Sequence, residues 1–190
     1  MPLILAVLLD LLLGDPSNRF HPTAWMGSFI AFFSRFRPKE KPALEFTFGG
    51  LLMLVGLTFV GGIGLGLTWL FSKFIPPLNL LLTALVLKTT FSLRGLDRAS
   101  REVQTALEHG DLPAARQLLS WHLVSRDTSQ LSGGQVAAAA VESIAENASD
   151  SLVAPLFFFL VGGLPLALVY RFANTADAML GYHDPGREWF

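Results

Sequence analysis

Glu142, Glu146 and Asp150 stand four residues apart, directly ahead of the apolar run "LVAPLFFFL". Read as a helix, "VAAAAVESIAENASDSL" puts the three carboxylates on one face, with Ser143, Asn147 and Ser151 on the adjacent stripe. Like charges at this spacing cost a helix about 0.2–0.5 kcal/mol per pair, and no lysine or arginine interleaves with them. A solvated acidic face is the bland explanation, but this face runs straight into an apolar segment. A hard cation such as Mg²⁺ is the natural partner, since it takes oxygen ligands and brings phosphate oxygens with it.

The pattern "NASD" at 147–150 recurs as "NTAD" at 174–177. Each carries Asn and Asp three apart, on one helical face. The pair Gly162-Gly163 lies nearly midway between them. A helix, a break at "GGLP" and a returning helix bring the two pairs face to face; an unbroken span would separate them. Irregular backbone at membrane depth is tolerated where it is buried or lines a cavity, and the reading favours the hairpin. The expected metal ligands are therefore Asp150, Asn147, Asn174 and Asp177. Upstream, "LVSRDTSQL" offers Arg126 as a fork for phosphate or carboxylate, while Asp127, Thr128 or Ser129 could cap the next helix. "LLLGDPSNRFHP" offers Asp15 and His21. "LSGGQ" at 131–135 spells the signature of ABC-type ATPases, but no G-x-x-x-x-G-K-[ST] accompanies it; its glycines mark a helix start.

These residues need elements to hold them, and the composition says which. The chain has 190 residues, 52% apolar and 15% charged, against about 25% charge in soluble domains. The expected class is all-α: a polytopic integral membrane protein forming one membrane domain, 1–190. Its parts are a short apolar helix at 1–13, an interfacial helix at 24–36, spans at 46–71 and 77–93, a cytoplasmic helical segment at 94–150 and a broken or re-entrant hairpin at 152–180. Glycines 49, 50, 56, 61, 62, 64 and 66 suit close helix approach in the first long span. Arg35, Arg37, Lys39 and Lys41 place their loop in the cytoplasm by the positive-inside rule. Trp25, Phe29, Phe32 and Phe36 suit a helix in the cytoplasmic interface, or alternatively a buried stripe. Gly110 ends one helix of the polar segment, and Asp111 with Pro113 starts the next, making a cytoplasmic helical hairpin. Net charge is −1 with scattered basic residues, so no nucleic-acid partner is expected. The chain has no cysteine, which excludes disulfides and thiolate chemistry.

Four blocks, "LLDLLLGDPSNRFHPTAWMGSFI", "SRDTSQL", "AAVESIAENASDSLVAPLFFFLVGG" and "YRFANTADAMLGY", resemble in order the signatures of the adenosylcobinamide-phosphate synthase family of cobalamin biosynthesis. The resemblance implies a multi-pass protein of a bacterial or archaeal cell membrane with its active face cytoplasmic. It implies an ATP-dependent acid–amine ligase that joins adenosylcobyric acid to (R)-1-amino-2-propanol or its phosphate, with Mg²⁺ and ATP required. Asp15, His21, Thr128 and Thr175 match family blocks and become candidates for substrate or nucleotide binding. Glu142, Glu146, Arg126 and Asp127 are the candidate catalytic groups. Among them Glu146, crowded between two acids, suits a general base, because neighbouring negative charge raises a carboxyl pKa. Partners so implied are the corrinoid, the amine and the lipid bilayer, with a homo-oligomer or other corrinoid-pathway membrane proteins left open. Ser151 stands where the family often has glycine, and family members continue past "GYHDPGREWF". A Mg²⁺-dependent polyprenyl transferase and a non-catalytic membrane scaffold are the alternatives.

Overall fold

The computed structural model describes residues 1–38 and 41–181, so Lys39 of the basic loop lies outside the described residues. These residues form eight α-helices and no strands: α1 Pro2–Leu13, α2 Pro22–Ser34, α3 Pro42–Phe71, α4 Pro76–Lys88, α5 Leu93–Glu108, α6 Leu112–His122, α7 Gly133–Ala148 and α8 Ala154–Leu180. Three stretches are long and apolar enough to cross a membrane: Pro42–Phe71, Pro76–Glu108 and Gly133–Leu180. The first is α3 alone, the second runs from α4 into α5, and the third from α7 through α8.

Proline falls within the first two positions of six of these helices; in five of them, α1, α2, α3, α4 and α6, the helix starts afresh there. There its fixed φ is already helical and its missing N–H costs nothing. The inward stripe of α3 is Glu45, Gly49, Leu52, Gly56, Val60 and Gly64, a spacing of three and four that stacks one face. Only part of the glycine run is used in this way: Gly50, Gly62 and Gly66 face open space. The opposite side of α3 exposes Leu51, Leu54, Phe59, Leu65 and Trp69, the surface expected against lipid tails.

α8 is the element that α3 grips, and it is not continuous. Gly162 (φ −145°) and Gly163 (φ 67°, ψ −156°) leave the helix. Only glycine enters that second conformation without strain. The chain turns back there, so Phe158 stacks on Tyr170 with ring centroids 4.9 Å apart. The arm running from Ser149 to Val161 rises only about 20 Å at 1.5 Å per residue, less than the roughly 30 Å of a bilayer core. This is the broken hairpin expected at "GGLP".

α5, α6 and α7 make a separate packed unit around Val103, Ala115, Leu119, Val136, Ala139 and Ala140. Gly110 at φ 73° ends the turn after α5, and Asp111 accepts a hydrogen bond from Ala114 N at 3.0 Å to cap α6.

The structure shifts two helix bounds and corrects one cap. The helix within the expected span 77–93 runs Pro76–Lys88, because Thr89–Ser92 leave the helix and bring Ser92 onto Asp15. The cap of α7 is Ser132, not Asp127, Thr128 or Ser129; Ser132 and Gln135 form a reciprocal capping box inside "LSGGQ". The 24–36 helix runs Pro22–Ser34 and buries Met26 and Ile30, while Trp25, Phe32 and Phe36 face outward. Phe29 alone of the four aromatics packs inward, edge-on to Phe172.

Candidate functional site

The end of α7 joins α8 through one π-helical turn, Ser149–Val153. Such a turn inserts a residue and rotates the helix face. Across from it runs the last part of α8. Between them lies a cavity of about 720 Å³ whose walls include Glu142, Glu146, Asn147, Asp150, Asn174, Thr175 and Asp177. The two Asn/Asp pairs therefore share one chamber because the hairpin turns at Gly162-Gly163.

The amides are held in place. Asn147 Nδ2 donates to Ser143 O at 2.9 Å, and Ser143 Oγ donates to Leu123 O. Thr175 Oγ1 donates to Arg171 O at 2.7 Å. Arg171 spans two walls: its Nε donates to Thr23 Oγ1 and its Nη1 to Asn174 Oδ1, both at 3.3 Å. Arg126 is at the cavity mouth, 3.8 Å from Glu142, and both side chains are largely exposed.

Other predicted residues lie elsewhere. Thr128 is buried, and its hydroxyl donates to Arg116 O at 2.8 Å. Asp127 accepts from Ser129 N at 2.9 Å and from Ser129 Oγ; these bonds hold its carboxyl below the usual range. Both residues shape the loop before α7 and do not line the cavity. Their neighbour Arg126 does.

Asp15 and His21 sit in an adjoining cavity of about 320 Å³ that shares Thr23 and Arg171 with the first. Lys88 Nζ donates to Asp15 Oδ1 at 2.8 Å, and His21 Nε2 lies 3.8 Å from the same oxygen. His21 Nδ1 accepts from Thr23 N at 3.2 Å, so the neutral ring carries its proton on the nitrogen facing Asp15. Burial pushes the Asp15 carboxyl up, but hydrogen bonds from His21, Lys88 and Ser92 outweigh it and hold the group well below the carboxylate range. Buried Asp10 completes the knot. Its Oδ2 accepts from Leu93 N and Arg94 N at 3.0 and 2.9 Å, and its Oδ1 lies 3.6 Å from Lys88 Nζ.

Asp10, Lys88 and Arg171 are the polar residues that sequence reasoning undervalued. The signal was present: each is a charge inside an apolar helix, and such charges usually pair or serve a site.

Among the described residues, no three His, Asp or Glu side chains converge on a point fit for a metal. A face of three acids is not by itself a chelate. The donor set still suits Mg²⁺, which is normally held by one or two carboxylates plus water and substrate phosphate. Asp150 and Asp177 would supply the carboxylates and Asn147 and Asn174 the amide oxygens, since all four line the one cavity.

The fold is an all-helical one with three stretches long and apolar enough to cross a membrane and a polar cavity where the end of α7 meets the last part of α8. Residues 3–190 match the CobD/Cbib protein family, and the chain belongs to that family. It is 39% identical over its whole length to the probable cobalamin biosynthesis protein CobD of Pyrococcus furiosus, covering 64% of that protein. It is 39% identical to the cobalamin biosynthesis protein CbiB of Salmonella typhi and 41% identical to the CobD of Halalkalibacterium halodurans, covering 94% and 96% of this chain and 56% of each relative. The chain thus spans roughly three fifths of these relatives. No solved structure matches. These relatives give no support to a polyprenyl transferase or a scaffold.

Proposed function

We propose that the chain carries the reaction chamber of an ATP-dependent ligase. It joins the side-chain carboxylate of adenosylcobyric acid to the amine of (R)-1-amino-2-propanol or its phosphate. The observation that carries this reading is the chamber itself, where two Asn/Asp pairs from the two arms of one hairpin face Glu142 and Glu146.

A carboxylate and an amine do not condense in water without activation. The corrinoid carboxylate would attack the γ-phosphorus of ATP, releasing ADP and leaving an acyl phosphate. The amine would then attack the acyl carbon, and phosphate would leave as the amide forms. Asp150, Asp177, Asn147 and Asn174 would hold Mg²⁺, which when bound offsets the charge of the phosphates. Glu146 would take the proton that the amine must lose. Arg126, exposed and drawn to Glu142, would meet the incoming nucleotide. At about 720 Å³ the cavity would take a reacting side chain and a phosphate, with the corrin ring outside. The basic loop around Arg35, Arg37 and Lys41 argues for a cytoplasmic chamber, where ATP is available.

Binding tests this directly. Purified in detergent, the chain should bind adenosylcobyric acid in equilibrium dialysis. In a competent form, Glu146→Gln should lower turnover by about 10²-fold or more and leave corrinoid affinity unchanged. Failure of the parent chain to bind the corrinoid would sink the proposal; full turnover in the variant would remove Glu146 as the base.

A further inference from the structure

Two arginines line the main cavity, and they are in opposite situations. Arg126 is exposed and lies 3.8 Å from the Glu142 carboxylate. Arg171 is half-buried where the two cavities meet, and both its hydrogen-bond partners are neutral: Thr23 Oγ1 and Asn174 Oδ1. Among the described residues no carboxylate lies within ion-pair distance of it. Asp15, the acid of the adjoining cavity, is already taken by Lys88 at 2.8 Å. The guanidinium is also aimed. Thr23, which receives the Nε proton, donates its own to Thr89 O at 3.3 Å, so α2 and the end of α4 orient the fork. The Nη2 nitrogen makes no hydrogen bond to the described residues. A sheltered cation with an unused donor and no counter-ion lacks an anion, since burying an unpaired charge is costly.

We propose that Arg171 is the oxyanion-binding residue of the chamber. It holds phosphate or carboxylate oxygens of a ligand whose cationic part lies against Asp150 and Asp177. The chamber then presents both signs, with carboxylates on its two facing segments and a guanidinium fork at the edge toward Thr23. That arrangement suits a metal-bound phosphate, or a carboxylate awaiting an ammonium group. A planar fork matches both oxyanions in two-point contact. The identity of the ligand rests on the ligase reading, whereas the existence of the site does not.

Inorganic pyrophosphate with Mg²⁺ is the first probe, read as thermal stabilisation of the purified chain in detergent. It should stabilise the parent and Arg101→Gln, an exposed change on α5 outside the cavity, but not Arg171→Gln. Equal stabilisation of parent and Arg171→Gln, or none of the parent, overturns the proposal. Should Arg171→Gln fail to fold, Arg171→Lys decides: it keeps the charge, loses the fork, and should weaken pyrophosphate binding about threefold or more, while unchanged affinity overturns the idea. Dialysis with MgATP and, separately, with adenosylcobyric acid then identifies the source of the oxyanion. The ligand gripped by Arg171 should lose about tenfold or more in affinity in Arg171→Gln, and the other should lose little. A parent that binds pyrophosphate through Arg171 but neither larger ligand removes the ligase reading and leaves the oxyanion site standing. A parent that binds both, with Arg171→Gln unaffected, does the reverse.

Discussion

Lys88 is the residue on which the amino-terminal knot depends. It is 4% exposed and lies between the carboxylates of Asp10, fully buried, and Asp15. Removing one partner of a buried ion cluster leaves uncompensated charge, at a cost of about 3–5 kcal/mol. Lys88→Met should therefore lower stability by that amount in thermal or denaturant unfolding, and adding Asp10→Asn should recover part of it. A loss below about 1 kcal/mol would show that the cluster is not sealed from water. The same variant has a pH signature. In the folded protein Asp15 titrates below its ordinary 3.8. Its stabilisation is therefore complete above about pH 4 and lost as pH falls further, since the unfolded chain then binds the proton first. Lys88→Met weakens that bond and should flatten the acid dependence of the midpoint.

At the scale of elements, the contact between α3 and α8 decides whether the chamber exists. A Cβ on Gly64 would stand 2.6 Å from Pro165 Cα, a backbone atom that cannot swing aside, whereas a Cβ on Gly62 meets nothing within 4 Å. Gly64→Leu should then cost about 1–3 kcal/mol by overpacking and loosen the hairpin. Gly62→Leu, two residues away on the open side, should stay within about 0.5 kcal/mol. Comparing the two in thermal unfolding separates close packing from helix propensity, which changes equally in both. Similar effects from the pair would refute the contact. Pro165 has a second role: it follows the turn at Gly163, where its missing N–H costs no helical bond.

For the whole molecule, the arrangement turns on two arms of one hairpin returning to the same side. Ser149 lies at the start of the first arm and Thr175 near the end of the second, next to the same cavity. The chain has no cysteine, so single replacements report cleanly. Ser149→Cys and Thr175→Cys should both react with an impermeant thiol reagent from one face of oriented vesicles, and both should be protected from the other. Labelling from opposite faces would mean that Gly133–Leu180 crosses the membrane unbroken. The three-helix unit of α5, α6 and α7 lies on that same side, because α7 leads directly into the first arm.

Much of this was legible in the chain itself. Apolar blocks against a small charged fraction require a helical membrane protein, since lipid leaves backbone groups no partner outside the helix. Helix boundaries at proline, Gly110 and Asp111, and the break at Gly162-Gly163, are local events, and local chemistry specifies them. The pairing of "NASD" with "NTAD" was readable because one hairpin, with its turn marked in the sequence, relates them. Other features depended on distance. Asp127 and Thr128 sit beside Arg126 in sequence, yet a loop sends only Arg126 to the cavity, as Thr128 turns inward to satisfy Arg116 O. Asp15 and Lys88 are 73 residues apart, and no periodicity links them. Arg171 acquired its neighbours only when α2 packed on α8. Charge pairing between remote elements is set by which faces close together, and that is decided by the packing of glycine stripes and bulky side chains, not by the spacing of the charges themselves.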